Sequence, residues 1–525
     1  MSGLLRSNVV VATGTALSRL TGLARVTVFA YVIGQSALAD AYQSANQSPN
    51  AIYELLLGGV LSASLVPLFT RQAEKRDDAA TSAVVTVSVL ALTALTIISV
   101  ACAPIVFRLF SLDVADGVDA TEYRHVGTAL ARIFLIQIFF YGLSALAGAL
   151  LQARRRFFAP AWAPVLSNLV IIVSLLLVPG TTGGREPDLV DVLTNDQLLL
   201  LLGLGATVGI GVMAVALLPA LRAADVSLEF RPEWRHPAVR QLVALSGWTL
   251  GYVVANQVAI IVIQNLAHPG SGNVNAYALA YIFFVLPHGL LAMSIVTTFT
   301  PEMARSVQQR DRAGFIHRCS SGVRLVSLLT LPAAAGLFVL RRPIIGLALD
   351  HGRFDAADAA LTSRALAGFS LGLVGFSVYL FVLRGFYAHT DARTPFMINA
   401  FECLLNVALA VLLTERYGVL GLAASFAVAY TVASLWALQV MSYKVRGFSV
   451  SAVLSGVWKM ALAALVMAEV MWLIAGHVGG NAGLGALARV AASGAAGVAV
   501  YVATLTALRV AELDEVQARV RSRFA

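Results

Sequence analysis

Long apolar runs follow one another along almost the whole sequence, and they limit the folds open to it. A run of about 20 apolar residues is long enough to cross the hydrocarbon core of a bilayer as a helix. Inside hydrocarbon every backbone N–H and C=O group needs a partner, and a helix supplies these partners within a single run. We therefore predict an all-α polytopic membrane protein with about 14 transmembrane helices. The predicted spans are 7–34, 38–70, 79–110, 123–152, 157–179, 196–221, 237–267, 274–304, 314–340, 358–388, 394–414, 418–442, 451–477 and 484–510.

The composition agrees with a membrane protein and excludes several classes of function. Charged residues make up only 12% of the chain, whereas a soluble domain is about 25% charged. We expect the net charge of +9 to serve loop orientation and contact with anionic membrane lipids, with no nucleic-acid partner. The motifs GxxxxGK(S/T), HExxH and GxSxG do not occur in an appropriate context, so we predict neither an enzyme nor a bound cofactor. Cys102, Cys319 and Cys403 lie far apart in apolar segments and are expected to pack there without a disulfide or a metal.

Successive predicted loops alternate between many and few basic residues. If the N-terminus is cytoplasmic, the inside loops are rich in arginine and the outside loops carry acids such as Asp113 and Asp116. Cytoplasmic loops of membrane proteins carry an excess of Lys and Arg, so we predict that both termini are cytoplasmic. Arg341 and Arg342, placed in an outside loop by this assignment, are its exceptions. The basic residues of the inside loops and tail are Arg71, Lys75, Arg76, Arg154, Arg155, Arg156, Arg222, Arg231, Arg235, Arg240, Arg305, Arg310, Arg312, Arg318, Arg393, Lys444, Arg446, Arg519, Arg521 and Arg523.

An internal repeat appears at a fixed offset of 235 residues. The triplet at 40–42 (DAY) corresponds to 275–277 (NAY), and the same offset carries Pro160 to Pro395. These matches fall at equivalent places in the order of the helices. The offset spans an even number of helices, so both copies have the same orientation in the membrane.

The repeat predicts how the chain is organised. We expect a lobe of six helices at 1–222 and a second, pseudo-symmetric lobe of six helices at 223–446. Helices 13 and 14 and a cytoplasmic tail, at 447–525, are an addition to this pair. Two such lobes enclose a central cavity and can rock to open it alternately to each side.

The first predicted helix carries two charges well inside its apolar run, Arg19 and Arg25. An arginine at the bilayer centre costs at least about 2.5–3.5 kcal/mol, so each needs a compensating group. One interpretation is internal neutralisation, of Arg19 by Glu54 and of Arg25 by Asp40 or by carbonyl oxygens. The other is that both hold an anionic substrate group, because a guanidinium binds phosphate oxygens bidentately and stays charged. The repeat favours the second interpretation, since it equates both arginines with apolar residues of the seventh helix.

Two further polar groups lie inside predicted spans. Pro287 and His288 interrupt the eighth helix, and a proline at such a place bends a helix at a gate or cavity wall. We expect His288 to be a polar lining residue rather than a ligand or proton carrier. Glu402 shares a helix face with Asn399 and Asn406, three and four residues away. We interpret this group as a helix–helix hydrogen-bonding cluster, with a cation or proton site as the alternative.

Three segments near the N-terminus resemble the MurJ/MviN family, the bacterial lipid II flippases of the multidrug/oligosaccharidyl-lipid/polysaccharide exporter superfamily. Residues 18–25 (SRLTGLAR) resemble its SRxxGxxR segment, and 40–42 with Pro49 and Asn50 resemble its DAF…PN segment. Residues 58–67 (GGVLSASLVP) resemble its GxxSxxxVP segment. The number of spans, the two lobes and the extra helix pair also match, over the whole chain. Frequent Arg and Ala are typical of a GC-rich bacterial genome.

The resemblance implies a set of substrate-binding residues. Arg19 and Arg25 would line a central cationic cavity and contact the diphosphate of the substrate. Asp40 and Asn50 would support the second helix, and Glu54 beside them completes the predicted set.

The resemblance also implies a function. The substrate would be lipid II, undecaprenyl-diphosphate carrying the disaccharide-pentapeptide. It would move from the inner to the outer leaflet of the bacterial plasma membrane during peptidoglycan and cell-wall biogenesis, on which cell shape depends. An ion gradient or the membrane potential would drive alternating access, and helices 13 and 14 would form a groove for the lipid tail. Cell-wall synthesis proteins would be its protein partners.

The sequence departs from the family pattern at positions that bear on the substrate. Tyr53, beside Glu54, stands where the family has a further cavity arginine, and 281–287 lacks the arginine expected before the helix-eight proline. Val26 and Gly58 replace two acidic residues. Three alternatives stay open: export of another lipid-linked glycan, export of a cationic drug, and a non-transporting paralogue that scaffolds cell-wall enzymes. The helix-one arginines oppose the drug exporter, which needs an acidic cavity, and the short tail after the last span opposes the scaffold.

Overall fold

The computed structural model describes residues 2–54, 62–75, 77–224, 226–244 and 247–513. Every regular element in these ranges is helical, which confirms the predicted all-α class. The helices of the first half are α1 (Ser2–Ile33), α2 (Ala37–Tyr53), α3 (Ser62–Lys75), α4 (Asp78–Ala101), α5 (Ala103–Leu109), α6 (Ala120–Phe134), α7 (Gln137–Ala153), α8 (Phe158–Thr181), α9 (Leu189–Thr194), α10 (Asp196–Val215), α11 (Leu218–Arg222), α12 (Pro237–Ala244) and α13 (Gly247–Leu266). Those of the second half are α14 (Asn273–Pro287), α15 (Met293–Gln308), α16 (Arg312–Leu349), α17 (Ala356–Ala388), α18 (Arg393–Tyr417), α19 (Val419–Lys444), α20 (Val450–His477) and α21 (Gly483–Ala507).

The helices follow the predicted spans closely. Twelve helices in the described ranges are long and apolar enough to cross a membrane. The second predicted span, 38–70, corresponds to α2 and α3, with undescribed residues between them. The seventh, 237–267, corresponds to α12 and α13, whose apolar stretch Leu250–Leu266 is shorter than the others. A polytopic membrane protein is therefore confirmed. Predictions that lie outside the described residues concern Gly58 to Leu61, Arg76, Arg519, Arg521 and Arg523.

One predicted boundary is wrong. The ninth span was expected to end at 340, with Arg341 and Arg342 in a loop, but α16 continues to Leu349. The Arg341 guanidinium donates to the carbonyl of Phe338 and lies 5.0 Å from the centre of its ring. These local contacts satisfy the charge on the helix itself. The two arginines therefore belong to the last turns of a long helix rather than to a loop.

The eighth span contains the expected irregularity at its proline. After α14 ends at Pro287, the residues His288–Ala292 form a π-helical turn that leads into α15. Such turns occur mostly as single insertions within α-helices. His288 is only 6% exposed, and its Nδ1 lies 3.0 Å from the Ser377 hydroxyl of α17. The side chain is thus packed against a neighbouring helix, which differs from the lining role expected of it.

The chain divides into two compact units. The first comprises 1–275 with 352–354, and the second comprises 276–351 with 355–525. In the first unit, apolar residues of α1, α2, α6, α8 and α10 form one core, and α3, α4 and α7 contribute to another. The ring of Tyr42 on α2 joins the first core by contacts with Phe29 of α1, at 4.8 Å, and Phe134 of α6, at 5.1 Å. This packing fixes α1 against α2, the two helices that carry the predicted site.

In the second unit, α17 and α19 approach closely along a row of small residues. A Cβ atom built on Gly368 would lie 2.6 Å from Ala423 Cβ, and one built on Gly372 would lie 2.6 Å from Ala427 Cα. Gly375 continues the row against Thr431 of α19. Small residues let helix backbones approach in a membrane, where dispersion contacts rather than water drive association.

Candidate substrate-binding site

Arg19 and Arg25 both lie on the continuous helix α1, six residues apart. The side chain of Arg19 is exposed and that of Arg25 is half-buried. Within the described part of the chain, neither arginine forms an ion pair or a hydrogen bond. The pairs Arg19–Glu54 and Arg25–Asp40, which internal neutralisation by the acids requires, are not formed.

The surroundings of Arg25 are phenolic. Its charge lies close enough to Tyr42 of α2 and Tyr141 of α7 to interact with both electrostatically. Tyr53, which stands where the family resemblance expects another arginine, packs its ring 5.0 Å from that of Tyr141. A tyrosine pair therefore occupies the place of the missing cation.

Next to Arg19, α1 is held by a polar contact with α8. The Asn168 side-chain amide donates to the Ser18 carbonyl at 3.2 Å and to the Thr21 hydroxyl at 3.0 Å. Gly22 lies beside the same amide: a Cβ atom built on it would be 3.7 Å from the Asn168 side-chain nitrogen. Asn168 was not among the predicted site residues, although an asparagine within the apolar α8 was a usable signal. These bonds fix the turn of α1 that carries Arg19.

Asp40 is fully buried and its charge is matched by backbone groups. Its Oδ2 accepts the N–H groups of Gly270, at 2.9 Å, and Gly272, at 2.8 Å. Its Oδ1 accepts the N–H of Asn275 at 2.8 Å. Gly270 and Gly272 belong to the connection between α13 and α14, and Asn275 belongs to the first turn of α14. Asp40 therefore anchors that connection to the start of α2, and it joins the two residues that the repeat makes equivalent, 40 and 275.

The other two predicted residues of α2 have local or side-chain partners. Asn50 donates to the carbonyl of Asn46 in its own helix at 3.2 Å. Glu54 is exposed, and its Oε2 accepts from the Gln257 amide of α13 at 2.7 Å. No hydrogen bond or ion pair among the described residues joins this α2 group to the two arginines of α1. The structure thus separates a hydrogen-bonded group, led by Asp40, from two arginines that have no ion pair within the described residues.

The polar cluster of α18 forms the helix–helix hydrogen bonds that were expected of it. Tyr379 of α17 donates to the Asn399 side chain at 3.2 Å, and Ser425 of α19 donates to that of Asn406 at 3.0 Å. Glu402 is 1% exposed, and its Oε1 has no partner in the described residues. These residues contain no group of three or more His, Cys, Asp or Glu side chains that could hold a metal ion. A cation or proton site at Glu402 stays a prediction.

Comparison with known proteins places the chain in a family. The sequence profile described as "Lipid II flippase MurJ" matches residues 29–492. A protein named "Lipid II flippase MurJ" from Burkholderia cenocepacia is 29% identical over 405 residues, which cover 75% of each chain. The structure "Lipid II flippase MurJ, inward closed conformation" superposes with a TM-score of 0.77 at 23% identity, over 95% of this chain and 98% of that one. An inward-facing multidrug resistance MATE family transporter of the MOP superfamily gives a TM-score of 0.61 at 14% identity, over 84% and 99%.

The shared architecture and the family profile define a polytopic membrane transporter. Because the profile covers most of its length, the chain belongs to the MurJ lipid II flippase family. The family resemblance predicted from the N-terminal segments is thereby confirmed. A flippase moves a lipid without making or breaking covalent bonds, which agrees with the prediction of a transporter rather than an enzyme.

Proposed function

We propose that this protein moves lipid II from the inner to the outer leaflet of the plasma membrane, with its diphosphate held by Arg19 and Arg25. Membership of the MurJ family supports the substrate and the process. Transport of lipid II supplies precursors for peptidoglycan, so the protein serves cell-wall biogenesis and cell shape. Cell-wall synthesis proteins and anionic membrane lipids are its further proposed partners.

One observation carries the binding proposal: two arginines on one membrane helix have no acidic partner in the described residues. Asp40, the nearest buried acid in the sequence, is committed to three backbone donors. A charge in the membrane is costly unless paired, so an anion from outside the chain is the expected counter-ion. A diphosphate presents oxygens that two guanidinium groups can bind bidentately.

The proposed transport cycle rests on the repeat. We assign the two lobes to 1–222 and 223–446, the added helices and tail to 447–525, and both termini to the cytoplasm. These boundaries describe the repeat, whereas the two compact units describe packing. The seventh helix packs with the first unit because Asn265 of α13 bonds to Leu109 and Leu112. An ion gradient or the membrane potential supplies the energy, and rocking of the lobes exposes the cavity to each side in turn.

Removal of each arginine tests the proposal. Arg19→Ala and Arg25→Ala should each reduce lipid II on the outer leaflet about 10-fold or more, because hydrogen bonds to a charged group contribute about 1.5–3 kcal/mol. The measurement is lipid II exposed on cells depleted of their own flippase and supplied with each variant. Arg108→Ala is the matched control, since Arg108 is an exposed arginine of the same unit and should leave exposure unchanged. Membrane levels of all three variants should equal those of the wild type.

One result would overturn the role of the arginines, and another would overturn the proposed substrate. If both variants support full lipid II exposure, the arginines do not hold the diphosphate. If depletion of the protein leaves lipid II exposure unchanged in a strain with no second flippase, the substrate is a different lipid-linked glycan or the chain is a scaffold. Measurement of other undecaprenyl-linked glycans on the outer leaflet then separates these two alternatives.

A further inference from the structure

The segment between α11 and α12 is fixed along the beginning of α4. The Glu229 N–H donates to the Ser82 hydroxyl at 3.1 Å, and the Thr86 hydroxyl donates to the Glu229 carbonyl at 3.3 Å. The Arg231 N–H donates to the same Thr86 hydroxyl at 3.1 Å. At 1.5 Å per residue, Ser82 and Thr86 lie about 6 and 12 Å from the first residue of α4. Backbone bonds therefore hold this segment beside the end of a membrane-spanning helix.

The same segment leaves large apolar side chains uncovered. Phe230 is 75% exposed, Trp234 is 55% exposed and Leu228 is 44% exposed. Leu228 and Phe230 are separated by one residue, on either side of the Glu229 backbone that bonds to α4. A group of exposed aromatic side chains on a segment fixed by hydrogen bonds marks an interaction surface.

Arginines lie on both sides of these exposed apolar side chains. The segment has three acids: Asp225, which lies outside the described residues, and Glu229 and Glu233, which lie 2.7 and 4.0 Å from Arg231. Arg222, Arg235 and Arg240 are exposed and form no ion pair with any other described residue. Residues 222–240, which include the flanking arginines of α11 and α12, hold four arginines and three acids and so keep one net positive charge.

The loop between α7 and α8 adds residues of the same kind at this end of the unit. Arg154 donates to the carbonyl of Ala224 and lies 3.9 Å from Asp78, the first residue of α4. The loop continues with an exposed Arg156, and α8 begins with Phe158, whose side chain is 61% exposed. Two separate stretches of sequence thus converge on one basic and aromatic surface.

We propose that this surface docks on anionic phospholipid headgroups. Its members are Arg156, Phe158, Arg222, Phe230, Trp234, Arg235 and Arg240. Tryptophan and other aromatic side chains are enriched at the membrane–water interface, and juxtamembrane arginines are attracted by anionic lipids. Both features occur here on a backbone held at the end of a membrane helix. In the proposed orientation the leaflet is the inner one, and the docking requires a membrane-embedded chain but no transport activity.

Lipid quenching of tryptophan fluorescence tests the docking. The full-length protein is placed in nanodiscs that contain equal amounts of brominated phosphatidylcholine or brominated phosphatidylglycerol. The contribution of Trp234 is the difference between the wild type and Trp234→Phe. We expect this contribution to be quenched by both lipids, and at least twice as strongly by the anionic one.

Matched variants show whether charge causes the preference. Arg222→Gln, Arg235→Gln and Arg240→Gln combined should abolish the preference for phosphatidylglycerol while the variant elutes as a folded monodisperse protein. Trp472, which is 63% exposed on α20, provides the control, since its contribution should be quenched equally by both lipids. A Trp234 contribution that is unquenched, or quenched equally by the two lipids, would overturn the proposal. These readouts do not involve lipid II, so they are independent of the proposed transport.

Discussion

Three charged residues of α1 and α2 show how the surroundings decide the use of a charge. Asp40 is fully buried and is matched by three backbone N–H groups. Arg19 and Arg25 have no such match among the described residues. A matched charge stabilises the fold, whereas an unmatched one in a membrane helix is available to a ligand. The same two helices thus carry a structural acid and two candidate binding residues.

Replacement of Asp40 should expose its structural role. Asp40→Asn substitutes an amide N–H for one of the accepting oxygens, so at least one of the three backbone donors loses its partner. An unsatisfied buried donor costs about 1–3 kcal/mol, and we expect the melting temperature in detergent to fall by several degrees. Asp116→Asn, an exposed residue of the same unit, should melt like the wild type. An unchanged melting temperature of Asp40→Asn would show that the three hydrogen bonds to Asp40 contribute little to stability.

At the scale of helices, close approach is set by residues that lack a side chain. Along α17 the row Gly368, Gly372 and Gly375 lets α19 approach to contact distance. The spacing of four and three residues places these glycines on one face of the helix. At the π-helical turn His288–Ala292, directly after Pro287, the regular α-helical bonding is interrupted instead.

A single methyl group at this helix contact should be destabilising. Gly372→Ala places a Cβ atom 2.6 Å from the backbone of Ala427, and the two helices must separate to accept it. We expect a loss of about 1–3 kcal/mol in stability, measured as a lower melting temperature. Gly494→Ala on α21 is the control, since no atom lies within 4 Å of the added methyl group. There the better helix propensity of alanine should leave stability equal or slightly higher.

The connection between α17 and α18 should make stability depend on pH. Partial burial alone would raise the pKa of Asp391, but bonds from Lys444 and Thr394 outweigh it and lower this pKa to about 2. A carboxylate whose pKa is lowered by folding stabilises the protein above its unfolded value of about 3.9 and loses this effect as the pH falls towards 2. Asp391→Asn should therefore melt below the wild type at pH 7.

The pH series identifies the carboxylate as the cause. The difference in melting temperature between the wild type and Asp391→Asn should shrink steadily as the pH is lowered from 5 towards 2. Glu415→Gln, an exposed residue near the end of α18, should track the wild type throughout. A difference for Asp391→Asn that is constant over this range would assign its effect to packing instead of charge.

At the scale of the molecule, the proposed orientation in the membrane rests on the arginines of the loops. The basic and aromatic surface of the first unit lies on the side that the positive-inside rule assigns to the cytoplasm. Gly183 and Gly184, between α8 and α9, lie in a loop assigned to the outside. Arg341 and Arg342 lie within α16, near its end, and they remain the exceptions to this assignment.

Reporter fusions test this orientation. Alkaline phosphatase inserted between Gly183 and Gly184 should be active, because that enzyme works only outside the cytoplasm. A fluorescent protein fused after Ala525 should be fluorescent, as it is when retained in the cytoplasm. The reverse pattern at both sites would reverse the assigned orientation and the proposed direction of transport.

The helices could be predicted from the sequence because each apolar run satisfies its own backbone within the membrane. The family followed from short segments at the N-terminus, which needed no knowledge of packing. The boundary at Arg341 was missed because the contact that satisfies it, with the Phe338 carbonyl, is made by the helix itself. Apolar periodicity cannot reveal such a contact.

The tertiary structure alone decided which residues distant in sequence become hydrogen-bond partners. The sequence by itself determined a membrane protein of many helices, its family, and two charges that required compensation. Whether an acid of α2 pairs with these arginines depended on residues more than 200 positions away. Asp40 accepts hydrogen bonds from the loop before α14, and Glu54 accepts one from Gln257. Hydrogen bonds between distant residues leave no periodic pattern in a sequence, because only the folded chain brings their partners together.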